Sequence, residues 1–111
     1  IIDTRSREEY TGALVRAARG GAIPGAVHLE WKRNLTPAGD FKPPDDLRAM
    51  YEDAGVLPDQ EVITYCQGGY RAAHTYLALR LLGFPHVRVY PGSWKEWGDR
   101  TDLPIEHPSK P

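Results

Sequence analysis

Apolar and polar positions along the chain switch repeatedly between a strand period and a helix period. Ile1-Ile2-Asp3 reads as the end of a strand whose start is missing, as in a piece of a longer chain. Ser6 follows, with Glu9 three residues on, the spacing of a capping box that opens a helix; Gly12 closes it. Gly20-Gly21 and Pro24-Gly25 punctuate a loop over 16–25, and Ala26-Val27-His28-Leu29 reads as a second short strand. The stretch 31–41 is irregular, with a turn at Pro37-Ala38-Gly39-Asp40. Pro43-Pro44-Asp45-Asp46 begins a helix in which Leu47, Met50, Tyr51 and Ala54 fall at i, i+3, i+4 and i+7, with Gly55 as its stop. Residues 61–65 read as a strand, 66–71 as a loop and 72–82 as the strongest helix, ended by Gly83 and Pro85. Residues 87–90 form a further strand that Pro91-Gly92 turns away. Strands alternating with helices predict an α/β fold with a central parallel sheet covered on both faces.

The chain's 111 residues suit one domain, and 41% hydrophobic with 26% charged residues is ordinary for a globular protein. Fourteen Lys and Arg against fifteen Asp and Glu argue against a nucleic-acid partner, which selects a basic excess. No apolar run approaches the roughly 20 residues of a membrane helix. The lone cysteine excludes an internal disulfide, and no Cys/His cluster has zinc spacing, so no metal is expected. A reducing cytoplasm is the expected location.

That cysteine stands in YCQGGYRAAHT, residues 65–75. Cys66 directly follows a strand, at the sheet end where parallel α/β folds build their sites. Gly68 and Gly69 let the backbone turn back on itself and aim several N–H groups at one centre, a nest for an anion. The next helix adds its N-terminal dipole, and Arg71 a full positive charge. Positive ends and cations stabilise a thiolate, the nucleophilic form of cysteine. A lone cysteine at a strand end is often only a small buried hydrophobe. Such a cysteine needs neither a glycine pair nor an arginine at the next helix mouth, so the residues around Cys66 favour a reactive thiol. The spacing is C-x4-R, one residue short of the C-x5-R loop of tyrosine phosphatases. A tighter nest suits a terminal sulfur better than a phosphate, and no general-acid Asp is evident.

Five separated pieces together resemble the rhodanese family of sulfurtransferases: IIDTRSREEY, GAIPGAVHLEW, LRAMYEDAGV, YCQGGYRAAHT and YPGSWKEWG. The last piece, with FKPP upstream, looks most like the C-terminal, catalytic domain of tandem-domain thiosulfate sulfurtransferases. The resemblance implies one rhodanese-like domain over residues 1–107, a tail over 108–111, and a sheet of about five strands flanked by helices on both faces. It further implies a preceding N-terminal rhodanese domain in the full-length protein.

By the same resemblance Cys66 is the catalytic sulfur carrier, and Gln67, Gly68, Gly69, Tyr70 and Arg71 bind the substrate and hold the persulfide. No cofactor is implied, and the partners are a small sulfur donor and acceptor. The implied function is thiosulfate sulfurtransferase. The alternatives are a carrier module passing persulfide to a partner protein and, less favoured, a 3-mercaptopyruvate enzyme or a phosphatase. Relatives often have His where Ala22 stands, and some carry a substrate-contacting arginine where Glu9 stands. Gln67 is neutral where some relatives have Arg, so loop charge is expected from Arg71. Asp3, Arg5, His74, Trp31, Trp94 and Trp97 are expected to serve packing. Arg16 and Arg19 flank a Gly-rich loop and are expected to be solvated charges, with steering of an anion to the cleft as the alternative.

Overall fold

A computed structural model describes residues 1–109; of the expected tail over 108–111, the last two residues lie outside the described part. Four parallel strands form the sheet: β1 (Ile2–Asp3), β2 (Val27–His28), β3 (Val62–Tyr65) and β4 (Val87–Val89), in the order β2-β1-β3-β4. Ile2 lies opposite Val27 on one side and Thr64 on the other, and Val62 lies opposite Val87. The helices are α1 (Arg7–Thr11), α2 (Pro44–Asp53), α3 (Tyr70–Leu81) and α4 (Ser93–Trp97), with a 3₁₀ turn at Trp31–Asn34.

The capping box read from Ser6 and Glu9 is present. Ser6 Oγ accepts from the Glu9 N–H at 3.3 Å, and Glu9 Oε1 accepts from the Ser6 N–H at 3.4 Å. Gly12, at φ +91°, ends α1 in the left-handed conformation. In α2 the predicted apolar stripe buries Leu47 and Tyr51. α3 buries Ala72, Thr75, Ala78 and Leu79, one face of the helix.

Alternation along the strands then builds two cores. Ile2, Val62 and Val87 face Leu47, Tyr51, Leu79, Leu82 and Phe84, so α2 and α3 cover one face. Tyr65 points the other way, against Ile23, Ala26 and Trp94, and α4 covers that face. Both faces are covered, as expected.

Three expectations need correction. The sheet has four strands where about five were expected; among the described residues, no further segment joins the ladder. The second strand spans two residues and not four. The great helix begins at Tyr70, two residues earlier than predicted. Gly69, at φ +100°, ends the turn as the helix N-cap, and its carbonyl accepts the Ala73 N–H at 2.9 Å. Tyr70 and Arg71 therefore belong to the first helical turn and not to the loop. A final antiparallel bridge, Ala22 to Glu106, ties the C-terminal segment back to the loop before β2.

Candidate active site

β3 delivers Cys66 to the carboxyl end of the sheet, where it is 1% exposed. Its backbone is held from the α4 side. The Cys66 N–H donates to Ser93 Oγ at 3.1 Å, and that hydroxyl donates to the Tyr90 carbonyl at 2.9 Å. The first N–H groups of α4 take the loop's carbonyls, Trp94 to Cys66 at 2.8 Å and Lys95 to Gln67 at 3.0 Å.

On the other side the loop closes on the sulfur. The Gly69 N–H donates to Cys66 Sγ at 3.0 Å, and the left-handed backbone at Gly69 then turns the chain into α3. A Cβ on Gly69 would lie 3.5 Å from the Pro91 carbonyl oxygen, so conformation rather than crowding selects glycine there. Gly68 lies outside the left-handed region, and a Cβ there would meet nothing nearer than the Tyr70 ring at 3.9 Å. Gln67 Oε1 is buried and has no hydrogen-bond partner among the described residues. The Tyr70 side chain is 89% exposed, so it stands at the rim and not in a wall.

Arg71 is not a free cation. Its Nη1 and Nη2 donate to Glu9 Oε1 and Oε2 at 2.7 and 2.9 Å, a bidentate pair. The Glu9 side chain is 2% exposed, and its Oε1 also accepts from Ser6 Oγ at 3.0 Å. Arg16, half exposed, approaches the opposite oxygen, Nε to Oε2 at 3.3 Å. Burial pushes the Glu9 carboxyl up, but its hydrogen bonds and charge contact with Arg71, with Ser6 adding more, outweigh burial and hold it down at about 2. Hydrogen bonding to Glu9 raises Arg71 above its ordinary value; burial works against this, and the charges of Glu9 and the Cys66 sulfur add to it. The expectation that Arg71 alone charges the loop is thus corrected: an anion and a second cation stand behind it. The capping-box reading had located Glu9, but nothing in its spacing pointed to Arg71, 62 residues away.

Other residues fall as support. Asp3 and Arg5 form a buried pair at 2.7 Å, as expected of structural residues. Tyr65 Oη donates to Asp3 at 2.7 Å, and the Arg5 guanidinium lies 4.7 Å from the Trp94 ring centre. Trp94 is core, as expected, its Nε1 donating to the Arg19 carbonyl at 2.9 Å. His74 is packed between Phe41 and Trp31, with ring centres at 4.8 and 5.1 Å. Burial lowers it from its ordinary value, which suits a packed ring. Arg19 is tied to the backbone and is not the solvated charge expected: its guanidinium donates to the carbonyls of Trp97, Gly98, Arg100 and Leu103. Ser93 carried no role of its own in the sequence, only a place in the piece YPGSWKEWG; its bond to Cys66 spans 27 residues. Among the described residues, no group of three or more His, Cys, Asp or Glu side chains is placed to hold a metal ion. No helix there is long and apolar enough to cross a membrane.

Fold and site define an α/β domain with one buried thiol in a tight turn at a helix mouth. The rhodanese-like domain model matches residues 1–100, and the chain belongs to that family. It is 44% identical over 106 residues to a thiosulfate sulfurtransferase of Pseudomonas aeruginosa, covering 96% of this chain and 39% of that protein. It is 40% identical over 114 residues to the sulfur carrier protein TtuD of Thermus thermophilus, covering 95% of this chain and 40% of that protein. The chain thus spans about two fifths of the length of these curated relatives. A solved structure of an anaerobic ergothioneine biosynthesis enzyme from Chlorobium limicola, in complex with trimethyl histidine, superposes at a TM-score of 0.87. It is 26% identical, with 95% of this chain and 27% of that chain covered.

Proposed function

We propose that the protein is a thiosulfate sulfurtransferase in which Cys66 carries the sulfur. The observation that carries this reading is the Gly69 N–H bonded to Cys66 Sγ at 3.0 Å, at the mouth of α3. A backbone donor aimed at sulfur favours negative charge there, whether on the thiolate or on the terminal sulfur of a persulfide. The names of the relatives agree with it, and a structural neighbour at 25% identity, EanB, has been solved with a cysteine persulfide.

In the first step the Cys66 thiolate attacks the outer sulfur of thiosulfate. A sulfur–sulfur bond forms to Cys66 as the one in thiosulfate breaks, and sulfite leaves with the electron pair. In the second step a thiophilic acceptor such as cyanide, or a thiolate, attacks the terminal sulfur, and the Cys66 thiolate departs. Charge balances in each step without a cofactor. One difficult transfer is divided into two displacements, a ping-pong sequence. Gln67, Gly68, Gly69, Tyr70 and Arg71 line or flank the turn that receives the donor. A preceding domain completes the cleft in this reading, and a reducing cytoplasm supplies thiol acceptors.

A second reading differs only in the acceptor, with the persulfide passed to a protein thiol. The exposed Tyr70 beside the loop and the carrier name of the Thermus relative favour keeping it. Turnover of thiosulfate to thiocyanate by the purified protein, absent in Cys66→Ser, tests the first reading. Turnover with a partner thiol but not with cyanide would select the second, and transfer by Cys66→Ser at the native rate would refute both.

A further inference from the structure

α3 turns one face inward, where Ala72, Thr75, Ala78 and Leu79 are buried. Its outer face is apolar as well. Tyr70 is 89% exposed, Leu77 48% and Leu81 67%, and Ala73 between them is also exposed. These four follow one another at spacings of three or four residues, so they form one stripe along the helix. Exposed apolar residues scattered singly are ordinary on a protein surface, but a contiguous row marks a contact. This row begins at the rim of the turn that holds Cys66 and runs the length of α3.

The charges around the stripe are of one sign. Between Val62 and Lys95 the sequence carries Arg71, Arg80, Arg88 and Lys95 and neither Asp nor Glu, in a chain whose formal net charge is -1. Glu9 neutralises Arg71, and Glu61 pairs with Arg88. The next acid along the chain, Glu96, accepts from the Tyr90 hydroxyl. Arg80 and Lys95 are exposed, and among the described residues neither forms an ion pair with a carboxylate. Arg80 stands one helical turn from Leu77, and the Lys95 N–H holds the Gln67 carbonyl at 3.0 Å, against the loop itself. Pairing this stripe with a second copy would set cation against cation. An acidic partner meets no such penalty.

We propose that the outer face of α3 docks a protein partner with an acid-flanked apolar face, which presents a thiol to Cys66. The partner's thiolate attacks the terminal sulfur of the Cys66 persulfide, a new sulfur–sulfur bond forms as the old one breaks, and Cys66 leaves as the thiolate. The transfer step rests on the second reading above, with a protein thiol as acceptor. The docking surface does not.

Two synthetic helical peptides serve as probes. Each has leucines along one face and a terminal cysteine, with glutamates flanking the leucines in one and lysines in the other. Anisotropy titrations of Cys66→Ser read docking without sulfur transfer. The glutamate peptide is expected to bind about ten-fold more tightly than its lysine twin, with the difference shrinking at high salt. Leu77→Ser combined with Leu81→Ser is expected to weaken the glutamate peptide about ten-fold, and Lys95→Glu to narrow the gap between the two peptides. With Cys66 intact, the leucine variant should lose transfer to the peptide thiol and keep turnover with cyanide. Equal affinity for the two peptides, or binding indifferent to the leucines, would overturn the surface. So would a Leu81→Cys thiol that maleimide cannot reach in the full-length Cys66→Ser protein, because another part of the same chain would then cover the stripe. Docking without any transfer by the native protein would refute the sulfur reading of Cys66 and leave the surface supported.

Discussion

Ser93 Oγ receives the Cys66 N–H at 3.1 Å while its own backbone stands at φ +50°, the one non-glycine residue with positive φ among those described. A strained residue thus supports the thiol from behind. Ser93→Ala keeps the strain and leaves a buried N–H unpaired, for a loss of about 1–3 kcal/mol. Ser93→Gly loses the same bond but relieves the backbone, and should be more stable than the alanine variant by about 1 kcal/mol. Urea unfolding midpoints decide; a glycine variant weaker than the alanine one would show that φ stores no strain there.

The two glycines of the loop should behave differently. Gly69→Ala forces a Cβ into the left-handed region and is expected to cost about 1–2 kcal/mol and to shorten the lifetime of any sulfur bound at Cys66. Gly68→Ala has open space and should lie within about 0.5 kcal/mol of wild type. Thermal melts and the decay of cyanide-labile sulfur measure the two effects. Equal losses at both positions would contradict the assignment of the turn to Gly69.

Asp3 is wholly buried and holds both Arg5 and the Tyr65 hydroxyl. Removing one partner of a buried pair leaves an uncompensated charge, so Asp3→Ala should lose roughly 3–5 kcal/mol. Denaturant unfolding checks this, and a loss below about 1 kcal/mol would mean that Arg5 finds another partner.

Stability should fall in acid through Glu9. Its carboxyl is held at about 2 in the folded protein, below the ordinary value of about 4.3, so the unfolded chain binds the proton more readily. The contribution is complete above the ordinary value and is lost as the pH falls through the folded one. Allowing for screening at the part-exposed Arg71, it is worth on the order of 2 kcal/mol. Wild type should therefore weaken between pH 5 and pH 2 more steeply than Glu9→Gln, as unfolding midpoints at several pH values would show. Parallel curves for the two proteins would contradict the pairing.

Much of this was legible along the chain. Local patterns located β1, α1, α2, β3, α3 and β4, because a capping box, an i, i+3, i+4 stripe and runs of β formers each act within a few residues. Cys66 and Gly69 were legible for the same reason, since the turn lies within four residues of the thiol. Three things were not. The start of α3 at Tyr70 depends on a single backbone angle at Gly69. The neutralisation of Arg71 depends on Glu9 across the sheet, where sequence spacing is silent. The support from Ser93 depends on α4 folding back onto the loop, a contact between residues 27 apart in the chain.

The central claim is that Cys66 carries sulfur, and intact mass tests it most directly. The purified protein is weighed before thiosulfate, after thiosulfate, and again after cyanide. The account predicts a gain of one sulfur atom that cyanide removes, and no gain in Cys66→Ser. A wild-type chain that gains nothing, or a Cys66→Ser variant that gains the same mass, would contradict it.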